Sequence, residues 1–294
     1  MITRLLAVSA AFLLLPLALM AAPPGEPPYT PIYDGPVPFS DNPQDAPHVL
    51  IYLPDNAGKP TPAVLDCPGG GYGGLAMQHE GENEGVWFKA HGIATFVLAY
   101  RMPHGRHQVP LSDAQRAMRW IRSQATKFNI DPHKIGVMGF SAGGHLASTL
   151  DTHFDAGNPS APDPIDRVSC RPDFAVLVYP VITMKAGETH QGTHDNLLGP
   201  NPDPALVHEF SNEEQVTSQT PPTILFHAVD DNTVPIQNSR DFLAALSKAG
   251  VPGELHEYSK GGHGFGFGAS PDNSPQGWFD VTLYDWLKRN GFAN

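Results

Sequence analysis

Apolar positions along the chain fall into short runs rich in Val, Ile and Leu that alternate with longer stretches of helical period. The runs at 48–53 (HVLIYL), 62–67 (PAVLDC), 93–100 (IATFVLAY), 134–140 (KIGVMGF), 174–179 (FAVLVY), 223–228 (TILFHA) and 254–258 (ELHEY) read as strands. The 93–100 run is apolar almost throughout, as in a strand buried on both faces. Between the strands, 82–91, 112–128, 143–150, 234–249 and 277–290 read as helices. In 112–128 the apolar or aromatic positions are Ala114, Ala117, Met118, Ile121, Ala125 and Phe128, one stripe of a helix, with Ser112 or Asp113 as its N-cap. Strands separated by helices predict an α/β fold with a mostly parallel central sheet and helices on both faces. The stretch 180–222 has no strand run, is dense in Gly, Pro, Asn and His, and is long for a simple connection. It reads as an inserted lid or substrate loop. No repeat and no linker between two cores divides 48–294, so one domain is expected there.

The beginning of the chain follows a different pattern. Residues 1–22 combine the positive charge of Arg4, an uncharged apolar run at 5–20 and the small residues Ala21 and Ala22, the pattern of a secretory signal peptide. Pro16 breaks the run, which is shorter than the ~20 residues a bilayer core requires. Cleavage and a secreted or periplasmic destination are therefore expected, without stable membrane association. Residues 23–47 are Pro-rich and read as an extended arm.

Composition narrows the functional classes. Gly (29) and Pro (31) of 294 residues stay below the ~25–30% that marks low-complexity disorder, so the chain is globular. The formal net charge is −12, and no cluster of Lys or Arg marks a face for phosphate backbones. Nucleic acid is excluded as an expected partner, and neutral substrates are not. Two cysteines, Cys67 and Cys170, do not make a disulfide framework, and Cys67 reads as a small buried hydrophobe.

The sharpest local signal is Gly139-Phe140-Ser141-Ala142-Gly143, between the 134–140 strand and a helix. This is a nucleophile elbow: a turn so tight that a side chain two residues before or after the serine would strike the neighbouring strand or helix. A serine hydroxyl needs a histidine base and a carboxylate to orient that base, each on a loop after a later strand. Asp230 and Asp231 follow the 223–228 strand, and His263 follows the 254–258 strand within KGGHGFG. Spacing alone leaves the two aspartates as alternatives, one for His263 and the other as cap of the helix starting near Pro235. The loop PGGGYGG after Cys67 offers backbone N–H groups which, with that of Ala142, can hold an oxyanion.

Two rival signals are weaker. Gly69-x-Gly71-x-x-Gly74 matches a dinucleotide fingerprint, but the next strand ends in Tyr100-Arg101 with no acidic residue for a ribose. The pairs His104/His107 and His190/His194 have chelating spacings, yet no Asp, Glu or Cys stands nearby at ligand spacing. They read as solvated loop histidines. Neither a metal nor a cofactor is expected, since the triad supplies nucleophile, base and charge stabilisation itself.

CPGGGYGGL, LAYR, DAQRAMRWIR, IGVMGFSAGGHLAS, VYPVIT, LLGPNP, TPPTILFHAVDDNTVP and KGGHGFG together resemble the α/β hydrolase esterases of the hormone-sensitive-lipase-like and acetyl xylan esterase group. The resemblance runs from about Leu50 onward and implies the α/β hydrolase fold. It also selects Asp231, which lies four positions before Pro235 of the Val-Pro pair, as the triad carboxylate. Gly70 and Gly71 match the family's oxyanion donors, with Pro68 where related lipases carry histidine. The implied substrate is an acetyl or similarly short acyl ester, often on xylan or its oligosaccharides. Tyr72 and His145 are the substrate-binding side chains expected beside the 180–222 insert, which would shape the acyl pocket and sugar platform. For His145, simple packing on the helix face is the alternative. A general short-chain carboxylesterase fits the same residues. A prolyl-oligopeptidase-type serine peptidase shares the Ser, Asp, His order but carries a propeller domain for which these residues leave no room. A non-catalytic carbohydrate-binding homologue would not need triad and oxyanion loop together.

Overall fold

All seven runs form strands; in those between 62 and 228, apolar side chains alternating to both faces of a sheet bury between two helical layers, while the edge run at 254–258 stays partly exposed. The computed structural model describes residues 29–40, 42, 45–55, 58–266 and 278–293. The signal peptide expected at 1–22 lies outside the described residues. The strands are β1 (Thr30–Pro31), β2 (His48–Tyr52), β3 (Thr61–Cys67), β4 (Ala94–Ala99), β5 (Ile130–Phe140), β6 (Ala175–Val178), β7 (Thr223–Ala228) and β8 (Gly253–Tyr258). They form one sheet in the order β1-β2-β4-β3-β5-β6-β7-β8. β1 and β2 pair antiparallel, as do β2 and β4, and every other pair is parallel. β1 comes from the Pro-rich arm, so part of that arm is docked as an edge strand and Ile32 beside it is buried.

The helices are α1 (Asn83–Ala90), α2 (Gln108–Ser123), α3 (Ala125–Phe128), α4 (Ser141–Thr152), α5 (Gln191–Leu198), α6 (Pro204–Glu209), α7 (Gln237–Ala249) and α8 (Tyr284–Arg289). Ala63, Leu65, Val137 and Leu177 pack with Met118 and Ile121 of α2, Leu146 of α4 and Phe242 of α7. Val64, Met138 and Val176 face the other way, onto Trp87 and Phe88 of α1 and Trp286 and Leu287 of α8. Each large apolar side chain buried in these layers contributes about 1.5–3 kcal/mol.

Several helix boundaries differ from expectation. The 112–128 helix starts at Gln108 instead, with Pro110 in its first turn, where a missing N–H does no harm. Neither Ser112 nor Asp113 caps it. Asp113 is buried and accepts from the Arg101 backbone N–H (2.9 Å) and guanidinium (2.6 Å to Nη2), while the Ser112 hydroxyl donates to the Val109 carbonyl. The helix also breaks at Gln124, and α3 ends on Asn129 in the left-handed region (φ +52°). A π-helical turn (Gln78–Glu82) precedes α1, and another (Trp278–Leu283) precedes α8.

The 180–222 insert is helical, with α5, α6 and a 3₁₀ turn at Asn212–Glu214. It is a fixed shoulder, not an open loop. Asn212 Nδ2 donates to Ser148 Oγ (2.7 Å) and Thr149 Oγ1 (3.0 Å) of α4, and Asn238 Oδ1 of α7 accepts from the Ile182 and Thr183 N–H groups. Cys67 and Cys170 are both buried free thiols. Among the described residues, no helix is long and apolar enough to cross a membrane.

Candidate active site

The parallel register aligns Cys67 with Gly139, Phe140 with Val178, Val178 with Phe226, and Ala228 with Tyr258. The carboxyl ends of β3, β5, β6, β7 and β8 therefore lie side by side, and the loops leaving them share one edge of the sheet. Ser141 stands where β5 turns into α4, with φ +52°. A non-glycine residue in that region is strained by about 1 kcal/mol or more and persists only where its surroundings enforce it. Here the two glycines permit it: a Cβ on Gly143 would overlap the carbonyl oxygens of Cys67 and Pro68, and one on Gly139 the carbonyl of Gly143.

His263 Nε2 lies 2.8 Å from Ser141 Oγ, and His263 Nδ1 lies 2.7 Å from Asp231 Oδ2. An ionised carboxylate only accepts, so Nδ1 carries the proton and Nε2 accepts from the serine hydroxyl. Asp231 divides its oxygens. Oδ1 accepts from the backbone N–H groups of Thr233 (2.8 Å) and Val234 (2.9 Å), whereas Oδ2 faces His263 and, at 3.3 Å, His227. Burial by itself would raise the Asp231 carboxyl. The bonds from His227 and His263, the His263 charge and the Val234 N–H outweigh burial and hold it well below the ordinary carboxylate range. Asp230 does not cap a helix; its Oδ1 accepts from Gly262 N–H at 2.8 Å, bracing the loop that carries His263.

The glycine loop after β3 is pinned at four points. Tyr100 Oη donates to the Pro68 carbonyl (2.7 Å), Gly69 N–H to Glu80 Oε2 (2.8 Å), Asn196 Nδ2 to the Gly71 carbonyl (2.9 Å), and Tyr72 Oη to His145 Nδ1 (3.0 Å). Gly70 (φ +130°) and Gly71 (φ +64°) occupy backbone conformations that favour glycine. Among the described residues nothing accepts from their N–H groups. Ala142 is the second residue of α4, so its N–H has no intrahelical acceptor either. These are three unspent donors beside a strained serine.

The BD-FAE family model matches residues 49–246, which include the elbow, the glycine loop and Asp231. The chain belongs to the BD-FAE family. It is 37% identical over 251 residues to an acetylxylan esterase of Xylanibacter ruminicola, a match covering 82% of this chain and 48% of that one. It is 39% identical over 222 residues to endo-1,4-beta-xylanase B of Butyrivibrio fibrisolvens, covering 74% of this chain and 34% of that one. The chain thus spans half or less of the length of these curated relatives. A solved acetyl ester-xyloside bifunctional hydrolase from Caldicellulosiruptor lactoaceticus superposes with a TM-score of 0.87 at 45% identity, covering 92% of this chain and 98% of that one. The fold is accordingly that of the α/β hydrolase esterases.

In this BD-FAE chain the expected substrate-binding side chains, Tyr72 and His145, lie beneath the site. Tyr72 is 1% exposed and His145 0%, and they bond to each other. His145 Nε2–H donates to the Phe210 carbonyl (2.9 Å), leaving Nδ1 to accept from the tyrosine, and burial pushes the imidazole down to about 4. Both are anchors for the glycine loop, unable to meet a ligand with their side chains. The packing alternative for His145 is the one the structure takes.

Other side chains occupy the rim. His190, read from sequence as a solvated loop histidine, caps α5 by accepting the Thr193 N–H at Nδ1, and its ring edge faces Gly71. Burial first, then the His263 charge, lowers its pKa. His227, Glu80, Tyr179 and Asn196 also touch the machinery and carried no local sequence signal, apart from Tyr179's place directly after β6. Of the other spaced histidines, His107 packs edge-on against Phe210 and His194 bonds Asp195 (2.8 Å). Among the described residues no group of three or more His, Cys, Asp or Glu side chains can hold a metal ion.

Proposed function

We propose that this BD-FAE member is a serine esterase that removes short acyl groups, acetyl foremost, from xylan or a related hemicellulose. The observation that carries the reading is the continuous chain Ser141 Oγ, His263, Asp231, at 2.8 and 2.7 Å, on a serine held at φ +52°. His263 Nε2 takes the hydroxyl proton as Ser141 Oγ attacks the ester carbonyl, and Asp231 stabilises the imidazolium. The Gly70, Gly71 and Ala142 N–H groups hold the oxyanion; one such donor is worth about 10²–10³ in rate. Collapse of the tetrahedral species breaks the C–O bond, and the departing alcohol takes the proton from His263. Water then attacks the acyl-serine by the same route and releases the acid.

The relatives named as an acetylxylan esterase and an acetyl ester-xyloside hydrolase support the acetyl and xylan parts of this reading. A polymeric substrate that cannot enter a cell agrees with export through the N-terminal segment, to the periplasm or outside. Acetate release from acetylated xylan, measured beside hydrolysis of nitrophenyl acetate, butyrate and octanoate with Ser141→Ala as blank, tests it. Release from xylan with a steep fall beyond acetate is the expected result. Turnover of the nitrophenyl esters alone would reduce the reading to a general short-chain carboxylesterase.

A further inference from the structure

The oxyanion donors and the base hang on loops after β3 and β8, which are separated in the sheet by β5, β6 and β7. Backbone pairing therefore does not join them, although the reaction proposed above needs them in one geometry. A buried side-chain path does. Glu80, 5% exposed on the π-helical turn before α1, accepts the Gly69 N–H at Oε2 (2.8 Å) and the Tyr179 hydroxyl at Oε1 (2.7 Å). The Tyr179 oxygen in turn accepts the Gly266 N–H at 3.0 Å. Gly69 immediately precedes the donors Gly70 and Gly71, and Gly266 lies three residues beyond His263. The Tyr179 ring stands edge-on to the rings of His263 (4.8 Å) and Phe265 (4.6 Å), from a backbone held at φ +35°.

We infer that Glu80 and Tyr179 are positioning residues that lock the oxyanion loop and the histidine loop into one frame, so that a change at Glu80 is felt at Gly266 and in turnover.

The chemistry of the path selects a carboxylate. Both partners of Glu80 are donors, so the residue must accept on both oxygens; glutamine has the same shape but offers one acceptor and an NH₂ group. Two further buried acids, Asp66 and Glu84, lie close by, and their oxygens have no hydrogen-bond partner among the described residues. Burial above all, then the neighbouring carboxylates, pushes Asp66 far above the ordinary range, and burial does the same to Glu84. Of the three acids, Glu80 is the one whose two oxygens both meet donors. A packing role would ask only for its volume; the hydrogen-bond pattern asks for its charge type and its reach.

The inference rests on the esterase reading for its effect on turnover, but the link itself is measurable without turnover. Amide hydrogen exchange is followed at Gly69 and Gly266 in the wild type, Glu80→Gln, Tyr179→Phe and the double variant, with kcat and KM for nitrophenyl acetate measured in parallel. The expected result is faster exchange at Gly266 in Glu80→Gln, although Glu80 does not touch that amide, and a kcat about 10²-fold lower with KM within about threefold, the scale of a misplaced reacting group. Tyr179→Phe, which keeps the ring against His263, should behave alike, and the double variant should be no worse than the poorer single one, since both break one path. Unchanged Gly266 exchange in Glu80→Gln, or single-variant losses that multiply in the double, would overturn the inference. If Glu80→Gln does not fold, Gly69 exchange in Tyr179→Phe decides: acceleration there supports the path, and wild-type protection refutes it. A wild type that neither hydrolyses esters nor labels with an organophosphonate sinks the esterase reading, while the exchange data still decide the link.

Discussion

Ser141 and His263 meet at 2.8 Å, yet the segments that bring them together are held by different forces. The elbow is fixed by exclusion. Gly139 and Gly143 have backbone carbonyls where a Cβ would go, and the turn is buried on all sides. The histidine loop is fixed by bonds. Gly262 and Gly264 have open space around them, a Cβ on Gly266 would meet the His79 ring, and the loop is tied by Asp230 to Gly262 N–H, by His79 Nε2–H to the Gly264 carbonyl (2.8 Å) and by Tyr179 to Gly266 N–H. Close packing tolerates no added atom, whereas a bonded loop tolerates added atoms and loses precision when a bond is removed. The elbow should thus fail by misfolding and the histidine loop by misplacement.

The largest effect should unite the two regions instead of separating them. Ser141→Ala and His263→Ala should each lower kcat/KM by on the order of 10⁴ or more, and the double variant should be no worse, as for groups that act as a unit. Steady-state kinetics with an active-site blank measure this. Asp231→Asn should cost about 10³–10⁴, because the amide no longer holds the tautomer that His263 needs. Asp230→Asn, which touches only the Gly262 amide, should cost a few-fold. Reversal of that order would break the assignment of the two aspartates.

Alanine at the glycines sharpens the contrast in stability. Gly143→Ala forces a methyl group into backbone carbonyls and should cost more than about 3 kcal/mol, the upper part of the overpacking range, or prevent folding. Gly262→Ala (φ +60°) meets no neighbour and should cost about 1–2 kcal/mol of backbone strain alone. Urea unfolding monitored by fluorescence separates them, and equal losses would remove the distinction.

The last effect appears only as pH falls and concerns the anchors under the glycine loop. His145 titrates near its ordinary 6.5 when unfolded and at about 4 when folded, so the unfolded chain binds more protons between those values. Stability from this group is therefore present above pH 6.5 and lost as pH falls toward 4, by about 3 kcal/mol over the window. The slope of unfolding free energy against pH from 6.5 to 4 should flatten in His145→Asn; an unchanged slope would show that another group carries it.

What could be read from the chain was what is local. The strands were legible because each is a contiguous apolar run, and the elbow because glycines two positions either side of Ser141 are a short-range demand of one turn. The choice of Asp231 over Asp230 needed family resemblance, since the two carboxylates differ only in which long-range partner each meets. Long-range pairing hid the rest. Asp113 looks like a helix cap until Arg101 claims it, and Tyr72 looks like a substrate contact until His145, 73 residues on, takes its hydroxyl. Glu80 and Tyr179 are 99 residues apart and nothing adjacent to either marks the bond.

The placement of Ser141, Asp231 and His263 after β5, β7 and β8 bears on when the proposed site is complete. Ser141 leaves the ribosome 122 residues before His263, and the base is aimed only after β8 has docked on β7 at the sheet edge. A partly synthesised chain can complete its nucleophile elbow while possessing no base, so it carries an inert hydroxyl throughout its vulnerable stages. Long-range strand pairing is slow because the loop-closure entropy comes before the contacts that offset it. The proposed ester cleavage would consequently report that β8 is in place, and recovery of turnover during refolding should trail the return of helical signal.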